Sequence, residues 1–462
     1  MAVAPEDPGG HPPFAVRRPR RAALGVVYFT VFLDLLGFGI ILPFLPFFAL
    51  ELGASGLGLG VILTSYSLAQ LAGALVLGRL SDRWGRRPVL MLSLAGAAAA
   101  MAMSGLAASL AALASARALA GLFGGSISTA QAYVADVTSS GERARFMGFL
   151  GAAIGFGFVV GPALGVALHR LGLGFAGAAF TAAGLAAANL VLAAFLLTES
   201  KPAGAPPPRR SLTEDWRAAA RPGVREVLAA TFLTTFAFVA METTFALFGE
   251  ERFGMDEKGF GLALVWVGVV MIAVQGGLIG PVTRRFGVRA AAVAGGLLMA
   301  AALGLLPWCP SLFWALAVLG GLAAGQGLTV PTHATLISHA GGAGEQGALL
   351  GARQSFAAAA RAVGPLAAGT LYDLHNASPF LTGGALAAVA GLLVAASGGR
   401  ERSATMQIDV PRHEYEEIER LIASDESPVG IDAKKTHVLI LHKLTAIEKR
   451  LERLEKSALK DP

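Results

Sequence analysis

The chain is built from apolar blocks long enough to cross a lipid bilayer, and this restricts its fold more than any other feature. The stretch from Leu57 to Leu77 carries no charged residue, and a helix needs about 20 such residues to cover the hydrocarbon core. Inside that core the backbone has no water to bond to, so long uninterrupted runs of this kind satisfy themselves as helices. Charged residues make up 15% of the chain, against roughly a quarter in a water-soluble protein. Too few charges are present to cover a water-facing surface. Glycine is abundant, with 59 residues; in lipid, small residues let helix backbones approach closely and pack.

Uncharged runs bounded by turn and charge signals predict spans near 23–48, 57–78, 89–108, 110–134, 146–169 and 174–197. A second set is expected near 226–249, 260–281, 288–306, 311–334, 348–371 and 378–397. The expected fold is an all-α polytopic membrane protein with twelve transmembrane helices in two six-helix bundles, 22–198 and 226–398. A cytoplasmic arm (1–21) precedes them, a central cytoplasmic loop (199–225) divides them, and a cytoplasmic helical tail (399–462) follows. Met1–Pro13 is polar, and Arg17, Arg18, Arg20 and Arg21 lead into the first span, which reads as an uncleaved arm. Basic residues alternate from turn to turn. Arg79, Arg83, Arg86, Arg87, Arg143, Arg145, Arg284, Arg285 and Arg289 fall on one side, against Arg170, Arg252 and Lys258 on the other. Basic turns stay in the cytoplasm. The expectation is an inner-membrane protein with both termini inside. The net charge of +6 raises nucleic acid as a partner, but the placement of the charges assigns them to the membrane border instead. The single cysteine, Cys309, excludes an intrachain disulfide or a cysteine-based metal cluster.

The two halves are related. Gly78-Arg79-Leu80-Ser81-Asp82-Arg83-Trp84-Gly85-Arg86-Arg87 is echoed by Gly280-Pro281-Val282-Thr283-Arg284-Arg285-Phe286-Gly287-Val288-Arg289, and Gly161-Pro162 by Gly364-Pro365. Repeated bundles facing each other are the build of an alternating-access carrier, with its site at their interface.

Four charged groups lie well inside the spans, away from their ends: Asp34, Arg117, Glu242 and Arg361. A charge at the bilayer centre costs at least ~2.5–3.5 kcal/mol, so such groups are functional candidates. Asp34 in span one and Glu242 in span seven occupy corresponding helices of the two halves, and a proton-driven carrier needs such carboxylates. Arg361 offers a site for an anionic group or a partner for Glu242; a permanent structural ion pair is the plainer alternative. Gln70, Gln131, Asn189, Gln275, Gln326 and His333 are uncharged polar groups within spans, suited to interhelical hydrogen bonds or to ligand contact. No metal-ligand cluster, phosphate loop or nucleophile motif is present, so neither a cofactor nor an enzymatic activity is expected.

Gly78-x3-Asp82-Arg83-x-Gly85-Arg86-Arg87-Pro88 between spans two and three resembles the signature of the major facilitator superfamily. The likeness, over about residues 22–398, is to its tetracycline-resistance-like drug/proton antiporters. Asp34-x2-Gly37 with Pro43 and Pro46 is similar to the family's first-span pattern. Arg117-x3-Gly121-x2-Gly124-Gly125 is similar to a motif whose buried arginine is linked to proton transfer. Gly151, Gly155, Gly157 and Gly161-Pro162-x2-Gly165 are similar to the antiporter signature, except that Val166 replaces its last glycine. The resemblance implies a conformational latch at Gly78, Asp82, Arg83, Gly85, Arg86 and Arg87, with Asp82 against helix N-termini and Arg83 or Arg86 paired with Asp136. It also implies a proton-transfer role for Arg117, which joins the intramembrane carboxylates Asp34 and Glu242 as candidates for proton coupling. The cavity would be lined by Arg361, Gln131, Gln275, Gln326 and Gln70. Tetracycline exporters carry a histidine in span eight and an acidic residue in span nine; here span eight offers Gln275 and span nine has no carboxylate.

After Arg400 the composition turns polar. Ile440, Leu444, Ile447, Leu451, Leu454 and Ala458 recur at three- and four-residue steps, as in a short coiled coil. A homodimer through the 437–458 helix and a lone amphipathic helix are both open. The function expected is proton-coupled export of small lipophilic or amphipathic compounds, with protons, substrate and lipid as partners. The alternatives are a sugar or organic-anion carrier of the same fold, and a membrane sensor signalling through its tail.

Overall fold

The computed structural model describes residues 21–124, 126–138, 140–200, 219–340 and 345–401, together with Ile440 and Ile447. The N-terminal arm, most of the central loop and the remainder of the tail, including the predicted coiled coil, lie outside the described residues. Eleven helices are long and apolar enough to cross a membrane: α1 (Leu24–Glu51), α2 (Gly56–Trp84), α3 (Arg86–Gly105), α4 (Leu110–Val137), α5 (Phe146–Arg170), α6 (Phe175–Leu196), α7 (Val224–Phe253), α8 (Glu257–Phe286), α9 (Val288–Trp308), α10 (Leu312–Ala340) and α12 (Ser378–Ser397). Between the last two lies α11 (Gln346–Leu374), 29 residues long. It is long enough to cross but carries Arg353 and Arg361. A helix with one face on a polar interior does not need to be apolar all round.

A helix covers each of the twelve stretches predicted as spans. Several run a turn or more beyond the uncharged stretch, because a helix ends where its caps lie rather than where its apolar residues stop. The predicted loop at 78–88 needs correction. Gly78–Trp84 forms the last turns of α2, and Arg86 begins α3. Gly85 alone joins them, at φ +100°, a conformation that other residues avoid.

The repeat seen in the sequence is repeated in the packing. Within the first half α1 packs on α5 and α6, α2 on α4, and α3 on α4 and α6. Six helices later the same pairs recur: α7 on α11 and α12, α8 on α10, α9 on α10 and α12. Glycines set several of these approaches. A Cβ on Gly161 would lie 2.6 Å from the Cα of Gly39, one on Gly157 would lie 2.6 Å from the Leu35 Cβ, and one on Gly165 would lie 2.7 Å from the Ile40 carbonyl oxygen. The Gly157, Gly161, Pro162 and Gly165 face of α5 is therefore seated on α1. Gly121 sets α4 against the backbone of α2 at Tyr66.

The two halves meet along two seams, α2 with α11 and α5 with α8. On the first, Leu366 N donates to Thr64 Oγ1 at 3.1 Å, and Gly56 N and Leu57 N donate to Asp373 at 2.7 and 2.8 Å. On the second, Val166 and Val159 fill the space left by Gly261 and Gly268, and His169 Nδ1 lies 3.6 Å from Glu257 Oε2. Phe47 also meets Phe260 edge to face. These hydrogen bonds and this ion pair between the halves lie toward the end away from the arginine turns. At the arginine end α2 exposes Leu68, Leu71, Leu75 and Val76 instead. By these contacts the interface is joined at one end, the sealed end, and shows none of them at the other, the open end. A shallow acidic vestibule of about 620 Å³, with Glu51, Glu250, Asp256 and Glu257 at its rim, marks the sealed end.

Candidate functional site

The candidate site lies just beneath the sealed stretch and draws on both halves. Asp34 on α1 accepts a hydrogen bond from Ser126 Oγ at 2.5 Å. Ser126 reaches it because α4 is interrupted: its first segment stops at Phe123, capped through the Gly124 N–H, and the second begins at Ser126. The two glycines noticed at 124 and 125 mark this break.

Arg117 lies on the first segment of α4. It is 1% exposed, with Nη2 donating to Ser104 Oγ at 2.7 Å and lying 3.3 Å from Met101 Sδ. Its Nε has no hydrogen-bond partner. A buried guanidinium held by a hydroxyl and a thioether, with no carboxylate on it, leaves its charge acting across the interior.

Tyr66 on α2 ties these groups together. Its hydroxyl accepts from Gln70 Nε2 at 3.2 Å, and its ring stacks on Phe38 with centroids 5.1 Å apart. It lies within electrostatic range of Asp34, Arg117 and Arg361. Arg361 in turn lies within range of Glu242. No direct ion pair joins Arg361 and Glu242 among the described residues, so the permanent pair considered from the sequence is replaced by a longer-range interaction. Asp34, Glu242 and Arg361 are all half-buried.

The other predicted residues differ in burial. Gln326 is buried within α10, 7% exposed, beside Thr329. Gln131 is exposed on the second segment of α4. Gln275 is exposed in a π-helical stretch, Val274–Leu278, that interrupts α8; such stretches frequently mark functional positions. His333 is buried, with Nδ1 3.2 Å from Thr231 Oγ1. Phe245 and Phe248 are core residues, and Trp266 Nε1 donates to the Leu316 carbonyl.

The latch region is assembled differently from its motif. Arg86, not Arg83, is the central cation: it pairs with Asp82 at 2.7 Å and Asp136 at 2.9 Å, and donates to Ser81 Oγ at 2.7 Å. Arg83 is exposed. A carboxylate on the α3 N-terminus is Glu199, which the motif does not contain: Oε1 accepts from Arg86 N at 2.8 Å and Oε2 from Arg87 N at 3.1 Å. Arg87 Nη2 donates to the Ala194 carbonyl at the end of α6. Carboxylates are favoured at helix N-termini, where N–H groups lack partners. Gly78 has open space around it. Sequence reasoning missed Tyr66 and Glu199; an isolated tyrosine and a glutamate at a span's end carry no signal until their neighbours are known.

Comparison with known proteins gives a consistent picture. The model of the Major Facilitator Superfamily matches residues 27–280 and 276–413. The class C tetracycline resistance protein of Escherichia coli is 33% identical over 380 residues, covering 79% of this chain and 94% of that protein. Multidrug resistance protein 2 of Bacillus subtilis is 27% identical, covering 77% of this chain and 90% of that protein. Among solved structures, the human organic anion transporter MFSD10 (TETRAN) is 27% identical with a TM-score of 0.59, covering 81% of this chain and 99% of that one.

Proposed function

Because the chain belongs to the major facilitator superfamily, we propose that this multi-pass membrane transporter is a proton-coupled exporter of small lipophilic or amphipathic compounds. It works by alternating access in the inner membrane, with both termini and the arginine turns in the cytoplasm. On that orientation the open end faces inward, as an exporter collecting cargo from the cytoplasm requires.

The observation that carries this reading is the placement of Asp34 and Glu242. They occupy corresponding helices of the two halves, both half-buried beneath the seam, with Arg117, Tyr66 and Arg361 in electrostatic range between them. A carboxylate there exchanges a proton with whichever side the cavity faces, and its charge changes what the bundles gain by closing. The relatives named for tetracycline and multidrug resistance support export.

A second reading, an organic-anion carrier, is favoured by Arg361, a half-buried guanidinium without a direct carboxylate partner, and by the likeness to MFSD10. The test is proton release from inside-out vesicles energised with a pH gradient while lipophilic cations, neutral compounds and aromatic anions are added in turn. Proton release driven by the first two classes, and lost in E242Q, supports antiport. Response to the anions alone supports the second reading, and silence to every class with folded protein in the membrane overturns both.

A further inference from the structure

We propose that Asp373 is the outer latch of the transport cycle, a positioning carboxylate that holds the inward-open state by capping the N-terminus of α2 from the opposite bundle. This rests on the alternating-access reading above.

The contact is bidentate. Oδ1 accepts from Gly56 N at 2.7 Å and Oδ2 from Leu57 N at 2.8 Å, across 317 residues of chain. Both donors are first-turn amides that α2 cannot satisfy by itself, and a carboxylate there also meets the positive end of the helix dipole. Ser55 Oγ accepts from Gly58 N on the same turn, so the cap is shared between a local side chain and one from the other half.

Asp373 is held rigidly. On either side of it Tyr372 Oη donates to Glu251 Oε2 at 2.7 Å and Asn376 Nδ2 donates to Glu251 Oε1 at 3.2 Å, which anchors the end of α11 to the end of α7. The approach is possible because Gly56 and Gly369 face each other. A Cβ on Gly56 would lie 2.7 Å from both Asp373 Oδ1 and the Gly369 carbonyl oxygen, and a Cβ on Gly369 would run into the Gly56 carbonyl.

The location explains the role. The helices α2 and α11 run antiparallel, so at each end of the pair one helix's N-terminus meets the other's C-terminal turn. At the sealed end Asp373, near the end of α11, caps α2. At the open end the corresponding carboxylate near the end of α2 is Asp82. Opening the sealed end must break the Asp373 cap, while closing the other end brings Asp82 toward the start of α11.

The test is the distance between spin labels in the full chain reconstituted in lipid, in a C309S background. One pair, L106C/F313C, reports the sealed end and the other, W84C/F286C, the open end; all four positions are well exposed. In D373A the outer pair is expected to lengthen and the inner pair to shorten, with the ratio of outward-open to inward-open protein rising about tenfold, the size of effect expected for loss of a helix N-terminal cap. D373N keeps an acceptor oxygen without the charge and should fall between; it decides alone if D373A does not yield folded protein. If the wild type switches between states with pH and the variants match it, the latch is overturned and the carrier reading stands. Distances that stay fixed in the wild type under every condition overturn both.

Discussion

Ser126 Oγ donates to the Asp34 carboxylate at 2.5 Å, a contact that joins α4 to α1 and exists because α4 breaks just before Ser126. A carboxylate's affinity for protons depends on the hydrogen bonds it accepts. D34N is expected to abolish compound-driven proton release. S126A is expected to keep transport but displace the pH midpoint of the proton flux. The measurement is the pH profile of release from inside-out vesicles; an unchanged profile in S126A would show that the contact has no part in coupling.

The pairing of Glu242 with Arg361 is electrostatic rather than direct, so either can change state without the other collapsing. E242Q should lose uphill transport while retaining downhill exchange of cargo. R361K should keep the charge but lose the planar donor set, raising KM more than it lowers kcat. Transport against a gradient, undiminished in E242Q, would remove Glu242 from the coupling mechanism.

Glu199 supplies the cap on α3. Replacing it with alanine removes acceptors from Arg86 N and Arg87 N, and loss of a helix cap costs about 0.5–2 kcal/mol. G85A should be worse than E199A, because Gly85 adopts φ +100° and a Cβ there would strike the Glu199 carboxylate. Thermal unfolding in detergent, comparing E199A, E199Q and G85A, checks the order.

The α1–α5 contact gives a packing prediction. G161A places a methyl group 2.6 Å from the Gly39 Cα, where backbone cannot yield easily, and overpacking of this kind costs about 1–3 kcal/mol. G184A meets nothing within 4 Å and should be neutral or stabilising by about 0.5–1 kcal/mol. Equal melting temperatures for the two variants would contradict the close approach.

Much of the fold was legible in the chain. The run from Leu57 to Leu77 predicts α2, and Gly161-Pro162 echoed by Gly364-Pro365 predicts that α5 and α11 occupy related places, which the repeated packing pairs bear out. The site was legible only in part. Asp34, Arg117, Glu242 and Arg361 stand out because charge inside a span is rare. Tyr66 does not stand out, since a tyrosine is tolerated on many faces of a membrane helix. Gln326 was expected at the cavity and lies within α10's packed surroundings, because a glutamine in a span is satisfied equally well by a neighbouring helix.

The sequence by itself determined which segments cross the bilayer, how the basic turns alternate and which buried charges need an explanation. Those are local matters: the cost of placing a residue in hydrocarbon is set mainly by that residue and the run around it. Tertiary structure alone decided that Glu199 caps α3, that Arg86 rather than Arg83 holds Asp136, and that Asp373 closes on the start of α2. Each is a hydrogen bond between groups distant in the chain, and such a bond forms only where packed helices bring donor and acceptor within about 3 Å. That positioning depends on glycines at the crossings, such as Gly56 against Gly369, whose effect appears only when both helices are in place.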